Sequence, residues 1–368
     1  MYCKKICVRD FRNIEDQTVE FNEGVNVLVG NNAQGKTNLL EAIFYASVGK
    51  SFRASHSPEM IRFGAESAEI SLDYADSDRS HNIRMVIFKD KRRKVEKNGL
   101  KIDKMSEIVG GFRAVLFCPE HLSLIKDGPA LRRNYLDIAI SRLYPLYMKT
   151  LQRYNYVLKQ RNTLIKNAYI DRASFDATAE LWSEQLAKEA AAISKYRVEY
   201  VRRTDKCVKS CFSDMMGGRE NVELAYLGSS RLEEDEYLDL KKSEERYFSL
   251  LTSSYEREIA AGATLFGIHK DDIDIRLNGR PARLYASQGQ QRSLSLALKI
   301  SEGEICREEY GDHPVMLLDD VLSELDGTRR EYLMTQLNSK QVIITSCENI
   351  SGNNAKVIEV KAGSYFEV

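Results

Sequence analysis

The sequence predicts an α/β chain built on mixed sheets and interrupted by an inserted α-helical arm. Three observations point that way. Short β-prone runs separated by turn signals fill the first third, and good helix formers dominate the middle. Strand and helix patterns then alternate through the last third, as they do in layered α/β domains.

The elements follow in order. Residues 4–8, 18–21 and 25–29 are β-prone runs broken by Asp-Phe-Arg-Asn and Asn-Glu-Gly turns. The third run ends at Gly30, and Leu39-Leu40-Glu41-Ala42-Ile43-Phe44 opens an amphipathic helix. Alternation returns at 69–74 and 83–88. Lys97-Asn98-Gly99 makes a hairpin turn between Val95 and Leu100, and 114–117 adds a short strand before Cys118-Pro119. From 131 to 211 two prolonged helical patterns run, with Pro145 as a break and Ile170-Asp171-Arg172-Ala173 as a second joint. Within them, 177–201 is rich in Ala, Glu, Lys and Leu, and Gly217-Gly218 ends the region. Residues 231–245 are acidic and read as loop or edge, and 244–260 as helix. The chain then reads as strand 273–277, helix 288–309, strand 315–318, helix 328–337 and strand 341–345. The economical arrangement is one α/β domain assembled from 1–118 and 255–368, with 119–254 inserted as the arm.

Composition sets limits on function. At 368 residues the chain exceeds one compact core. Its 54 Lys+Arg balance 54 Asp+Glu, which excludes a protein that coats nucleic acid through bulk positive charge. Basic residues gathered in one place remain compatible with that balance. No apolar run reaches the ~18–20 residues of a membrane span, and Met-Tyr-Cys-Lys-Lys-Ile-Cys carries no signal-peptide core. The expectation is a soluble, cytoplasmic protein without a membrane partner. Cysteines 3, 7, 118, 207, 211, 306 and 347 are scattered, and no histidine near the two i,i+4 pairs completes a zinc site. They read as reduced, incidental thiols.

Gly30-Asn31-Asn32-Ala33-Gln34-Gly35-Lys36-Thr37 fits G-x-x-x-x-G-K-[ST] and sits between a buried strand and a helix. Glycines let such a loop wrap a polyphosphate with its backbone N–H groups facing the anion. Lys36 then serves the β- and γ-phosphates and Thr37 offers a hydroxyl to Mg²⁺, so ATP and Mg²⁺ are the expected cofactors; Asn38 closes the nucleotide segment. Far downstream, Val315-Met316-Leu317-Leu318-Asp319-Asp320 is an apolar strand ending in two acids. Asp319 is the second metal candidate, and Asp320 the candidate that orients or deprotonates the attacking water, with Lys36 as its catalytic companion.

Ser287-Gln288-Gly289-Gln290-Gln291-Arg292-Ser293 precedes the helical Leu294–Lys299 stretch and resembles the signature loop of ABC-type ATPases. In that family the loop binds the γ-phosphate held by the other subunit, which implies nucleotide-binding roles for Ser287, Gln288, Gly289 and Gln290 and an ATP-dependent homodimer. Ser323-Glu324-Leu325-Asp326 resembles the D-loop, and Thr345-Ser346 stands at the switch position. The distance from Lys36 to Ser287, with a helical insertion between, is unlike transporter ATPases and resembles the SMC/RecF branch.

Phe11-Arg12-Asn13, the P-loop, Ser51-Phe52-Arg53, Phe117-Cys118-Pro119-Glu120, Arg132-Arg133-Asn134-Tyr135-Leu136-Asp137, His269-Lys270-Asp271-Asp272 and Ser-Gln-Gly-Gln-Gln-Arg occur in the order of the RecF family. The resemblance spans essentially the whole chain. Ile268 departs from the family's usual proline, and Thr345-Ser346-Cys347 from its threonine run. The resemblance implies an ABC-type P-loop ATPase head, clamping of duplex DNA near single-strand gaps, and slow, DNA-stimulated hydrolysis used as a switch. It also implies RecR and RecO as partners, and help in loading RecA during recombinational repair and replication restart. An ABC transporter-type ATPase subunit and a short SMC-like DNA-bridging head are the alternatives.

For DNA, residues 141–170 carry six Lys/Arg and no acid, interleaved with Tyr144, Tyr147, Tyr154, Tyr156 and Tyr169. Hairpin 89–104 carries eight basic and three acidic residues. Candidate contacts are Arg53, Lys91, Arg92, Arg93, Arg142, Lys149, Arg153 and Arg161. A solvated helix face whose tyrosines pack in the arm's own core accounts for the first pattern equally well, and a solvated hairpin for the second.

Overall fold

β1 (Tyr2–Phe11) and β2 (Ile14–Glu20) form an antiparallel pair, and β3 (Val25–Val29) leads into α1 (Lys36–Val48). β4 (Ser67–Ala75), β5 (Ser80–Phe88), β6 (Lys94–Lys97), β7 (Leu100–Lys101) and β8 (Ala114–Phe117) follow. The middle holds α2 (Pro129–Leu143), α3 (Pro145–Asn167), α4 (Arg172–Met216), β9 (Val222–Leu227), α5 (Leu240–Thr252), α6 (Tyr255–Ala261), β10 (Asp272–Leu277), β11 (Arg280–Pro281) and α7 (Ala282–Tyr285). The rest is α8 (Gln288–Tyr310), β12 (Val315–Asp319), α9 (Gly327–Leu337), β13 (Val342–Ser346), β14 (Lys356–Lys361) and β15 (Ser364–Glu367). This computed structural model describes residues 1–348 and 355–368.

The described residues divide into two compact units, Met1–Ser123 with Gln288–Val368, and Leu124–Ser287. The first unit, the head, holds two six-stranded sheets. One is antiparallel, ordered β2-β1-β4-β5-β6-β7; the other is ordered β15-β14-β3-β13-β12-β8. In the second sheet β3 runs parallel to both β13 and β14, and β12 parallel to both β13 and β8; only β15 pairs antiparallel. Its central strands are mostly Val, Ile, Leu and Met, and all five residues of β12 are buried. That is the pattern of parallel strands covered on both faces. α1 packs against strands of both sheets. The P-loop strand β3 and the acid-bearing β12 therefore flank β13, and their C-terminal ends open on the same edge.

The second unit is the arm, with three long helices. Pro145 stands at the first turn of α3, where its missing N–H costs no hydrogen bond. Asp171 caps α4 by accepting from the Ser174 N–H at 2.9 Å. Ile165, Ala168, Phe175, Ala179 and Ile259 form part of its core.

Three features differ from the sequence expectation. The helix expected over 244–260 is two, broken at Ser253-Ser254, and α5 already begins at Leu240 behind the Asp239 cap. β9, β14 and β15 were not foreseen: they are short, and β9 and β14 pair with strands far away in sequence, β10 and β3, while β15 folds back on β14. Finally, the chain re-enters the head at 287/288, not 254/255, and it leaves at 123/124. The cause is β9, which pairs with β10 over six positions and keeps β10 in the arm.

Candidate nucleotide site

The loop after β3 takes its shape from two left-handed positions, Ala33 (φ 65°) and Gly35 (φ 116°). At Gly35 a side chain would also stand 2.8 Å from Asn13 Oδ1, so glycine meets both demands. Gly30 opens the loop against the Val360 carbonyl, where a Cβ would collide. Asn32 Oδ1 accepts a hydrogen bond from Cys347 Sγ at 3.1 Å. Lys36 is buried; its ammonium donates to the carbonyls of Gly30 and, at 3.1 Å, Asn31, and lies 3.5 Å from Cys347 Sγ.

Thr37 and Asp319 come from opposite ends of the chain and meet. The Thr37 hydroxyl donates to Asp319 Oδ1 at 2.7 Å, and the Thr345 hydroxyl donates to the same oxygen at 2.9 Å. Thr345 Oγ1 in turn accepts the Asp320 N–H at 2.8 Å. Burial pushes the Asp319 carboxyl above its ordinary range, and the two hydroxyl bonds oppose that shift. The donor set of one hydroxyl and one carboxylate, both hard oxygen ligands beside a phosphate loop, suits Mg²⁺, which binds few protein groups and completes its shell with phosphate and water. Asp320 takes another direction: it stands at φ 51°, with its carboxylate 3.3 Å from Ser323 Oγ.

At the end of β13 the Thr345 hydroxyl ties that strand to Asp319. Two further groups escaped the sequence reading. Glu41, fully buried on α1, is gripped by Arg12 through bonds of 2.9 and 2.7 Å and by the Ser51 hydroxyl. Arg12 and Ser51 both belong to family motifs, and Glu41 lies one turn past Thr37, so a signal was present. Glu120, just beyond β8, adds a negative charge that pushes the Asp319 carboxyl further up. Its place in Phe-Cys-Pro-Glu was the available clue.

Ser287 immediately precedes α8, and Gln288, Gly289 and Gln290 form its first turn. The neighbouring Arg292 donates to the Glu324 carbonyl at 2.7 Å and to its carboxylate at 3.1 Å. Ser293 Oγ accepts from Arg329 at 2.6 Å, and Arg329 pairs with Asp326, the α9 cap. The start of α8 and the segment from Glu324 to Arg329 are therefore bonded into one piece.

The basic candidates separate by exposure. Arg53 is exposed and donates to Asn38 Oδ1 at 3.0 Å. Lys91 and Arg92 are exposed, with the Lys91 ammonium 4.2 Å from the Phe88 ring centre. Arg93 turns inward to Tyr45 Oη at 2.8 Å and the Gly49 carbonyl. In the arm, Lys149 is exposed and Arg153 pairs with Glu189 at 2.9 Å. Arg142 and Arg161 overturn their expected role, because each is only 1% exposed and cannot reach a phosphate backbone. Arg161 meets Glu258 at 2.6 Å, Thr264 at 2.8 Å and Ser183 at 3.1 Å. Tyr147 and Tyr154 are likewise core residues, whereas Tyr156 and Tyr169 face solvent.

The chain is similar to proteins of one family. The family model described as "RecF/RecN/SMC N terminal domain" matches residues 2–363. The "DNA replication and repair protein RecF" of Clostridium acetobutylicum is 38% identical over 345 residues, covering 94% of this chain and 92% of that protein. A solved structure of "the recombination mediator protein RecF-ATPrS in RecFOR pathway" superposes with a TM-score of 0.94 at 35% identity, covering 100% of this chain and 98% of that one. A second, of RecF-ATP in the same pathway, gives 0.91 at 36% identity, with 100% and 97% covered.

Proposed function

The chain belongs to the RecF family of RecF/RecN/SMC N-terminal domain proteins, and on that premise we propose that it is an ATP-dependent DNA-binding repair protein. ATP binding drives two copies together head to head, and the dimer clamps duplex DNA near single-strand gaps. With RecR and RecO it helps load RecA in recombinational repair and replication restart. Hydrolysis is slow and releases the clamp. The repair proteins among its relatives favour this reading over a transporter subunit.

The observation that carries it is the Thr37–Asp319 hydrogen bond of 2.7 Å, which joins the phosphate loop to the acidic strand. Thr37 and Asp319 would hold Mg²⁺, which would offset the negative charge that develops on the phosphate oxygens. Lys36 and the N–H groups of the loop and of the α1 N-terminus receive the phosphates. Asp320 orients the attacking water, for which its carboxylate must swing from Ser323. A carboxylate one methylene shorter than glutamate, engaged elsewhere at rest, suits a switch better than a fast motor. Ser287, Gln288, Gly289 and Gln290 meet the γ-phosphate held by the second copy. Arg53, Lys91, Arg92, Lys149 and Arg153 are the exposed cations left for phosphate contacts, which position DNA without reading its bases.

The test measures self-association and gapped-DNA binding with and without ATP and Mg²⁺, for wild type, Lys36→Ala and Ser287→Arg. Lys36→Ala should lose nucleotide affinity by about a hundredfold or more, as expected when a charged phosphate contact is removed. Ser287→Arg should keep nucleotide but fail to dimerise. If both variants dimerise and hold DNA as wild type does, the clamp is wrong.

A further inference from the structure

We infer that the hairpin of β14 and β15 is a positioning element of the nucleotide site, a clasp that holds the P-loop in its anion-binding shape; this rests on the ATP reading above. The hairpin's two turn residues, Ala362 (φ 49°) and Gly363 (φ 82°), are both left-handed, as in a tight two-residue turn. The N–H groups of that turn go to the P-loop. Ala362 N–H donates to Gln34 Oε1 at 2.7 Å, and Gly363 N–H to the Gln34 carbonyl at 2.8 Å. Asn13 Nδ2 donates to the same carbonyl at 3.1 Å. One residue on, the Tyr365 hydroxyl donates to the Gly35 carbonyl at 2.9 Å. The other end of the loop is touched as well, since Gly30 packs against the Val360 carbonyl of β14.

The consequence follows from the planarity of the peptide bond. In a trans peptide the C=O and the following N–H point in opposite directions. Bonds that draw the Gln34 carbonyl toward the hairpin therefore turn the Gly35 N–H away from it, toward the side where an anion sits, while the Gly35 carbonyl, which also accepts the Asn38 and Leu39 N–H groups at 3.0 and 3.2 Å, ties Tyr365 to the start of α1. A loop already held this way loses less freedom when phosphate arrives, which appears as affinity. Tyr365 is suited to the task. Burial keeps its phenol protonated by pushing its pKa well up, so it stays a donor. Gly363 is required twice, by its positive φ and because a Cβ would strike the Asn13 carbonyl.

The experiment compares Tyr365→Phe, Gly363→Val and Lys36→Ala in the full chain, reading ATP and ADP Kd by titration, KM and kcat of hydrolysis, and the thermal midpoint. Tyr365→Phe should raise Kd and KM by about two- to tenfold, the effect of one hydrogen bond, with kcat within about twofold of wild type. Gly363→Val should raise them further; where it does not fold, Tyr365→Phe decides. Unchanged Kd and KM in Tyr365→Phe, alongside lost binding in Lys36→Ala, overturns the clasp and leaves the ATP reading intact. A fall in kcat at unchanged KM overturns it too, because a loop held for binding acts on affinity. Normal nucleotide binding by Lys36→Ala refutes the ATP reading and the clasp with it.

Discussion

The arm and the Asp319 position of the head use charged residues in opposite ways. In the arm, cations are consumed internally: Arg161 by Glu258, Arg132 by Asp272, and Arg197 by Asp137 at 2.8 Å with Asp271 at 3.7 Å. Arg161 and Arg197 are each 1% exposed. In the nucleotide site of the head, by contrast, Asp319 is buried with only hydroxyl partners, and its carboxyl is pushed up. A buried charge without an ion partner is costly unless something else compensates it. The arm spends its charges on holding its own helices, while the head keeps Asp319 buried on hydroxyl bonds alone.

The sharpest way to break this contrast lies within α3. Arg161→Ala leaves Glu258 buried without its cation and should cost about 3–5 kcal/mol of stability. Arg153→Ala, eight residues earlier on the same helix, removes a surface pair and should cost less than about 1 kcal/mol. Urea unfolding of both variants checks this, and equal costs would refute the division between structural and surface arginines.

Acid should weaken both units through histidines buried in the neutral form. Burial depresses His269 in the arm to about 4 and His121 in the head to about 3. His269 Nδ1 lies 2.7 Å from the Tyr154 hydroxyl and Nε2 3.1 Å from the Thr264 carbonyl, which suits a neutral ring with one donor and one acceptor. Below about pH 6.5 the unfolded chain takes up these protons and the folded chain does not. The contribution is thus complete above that pH and is lost as pH falls toward 4 for His269 and 3 for His121. The slope is about 1.4 kcal/mol per unit for each group. His269→Gln, which keeps a donor and an acceptor, should flatten the dependence between pH 6 and 4.5 by one histidine's share. An unaltered slope would place the acid sensitivity elsewhere.

The smallest effect has the most telling sign. Because Asp319 is raised in the fold, its ionisation works against stability above its folded pKa, and that cost vanishes once pH falls below the unfolded value. Asp319→Asn should therefore be slightly more stable than wild type at pH 8, by about 1 kcal/mol or less, and lose that margin in acid. The same variant should lose the Mg²⁺ dependence of ATP binding. Thermal unfolding at pH 8 and pH 4 tests the sign, and a destabilised variant at pH 8 would show that Asp319 holds the fold together.

Legibility differed by distance along the chain. The P-loop was readable because its strand, glycines, lysine and helix are contiguous, and local sterics alone demand that order. Asn98-Gly99 was readable for the same reason: both residues take positive φ in the β6–β7 turn. The arm's arginines were not. Arg153 and Arg161 lie two turns apart on α3, and nothing nearby in sequence tells which faces Glu258, 97 residues away. β14 was silent because its parallel pairing with β3 joins opposite ends of the chain.

What the sequence alone determined, then, is the chemistry available: a phosphate loop, a paired-acid strand, a glycine-led signature helix, and the order that marks the family. Which groups are free to use it was decided by tertiary structure. Only folding brings Thr37 to Asp319, lays the hairpin against Gln34, and buries Arg142 and Arg161 out of reach of any ligand. The reason is physical: backbone conformation and binary pattern are local, whereas burial and charge compensation depend on neighbours that sequence order does not name.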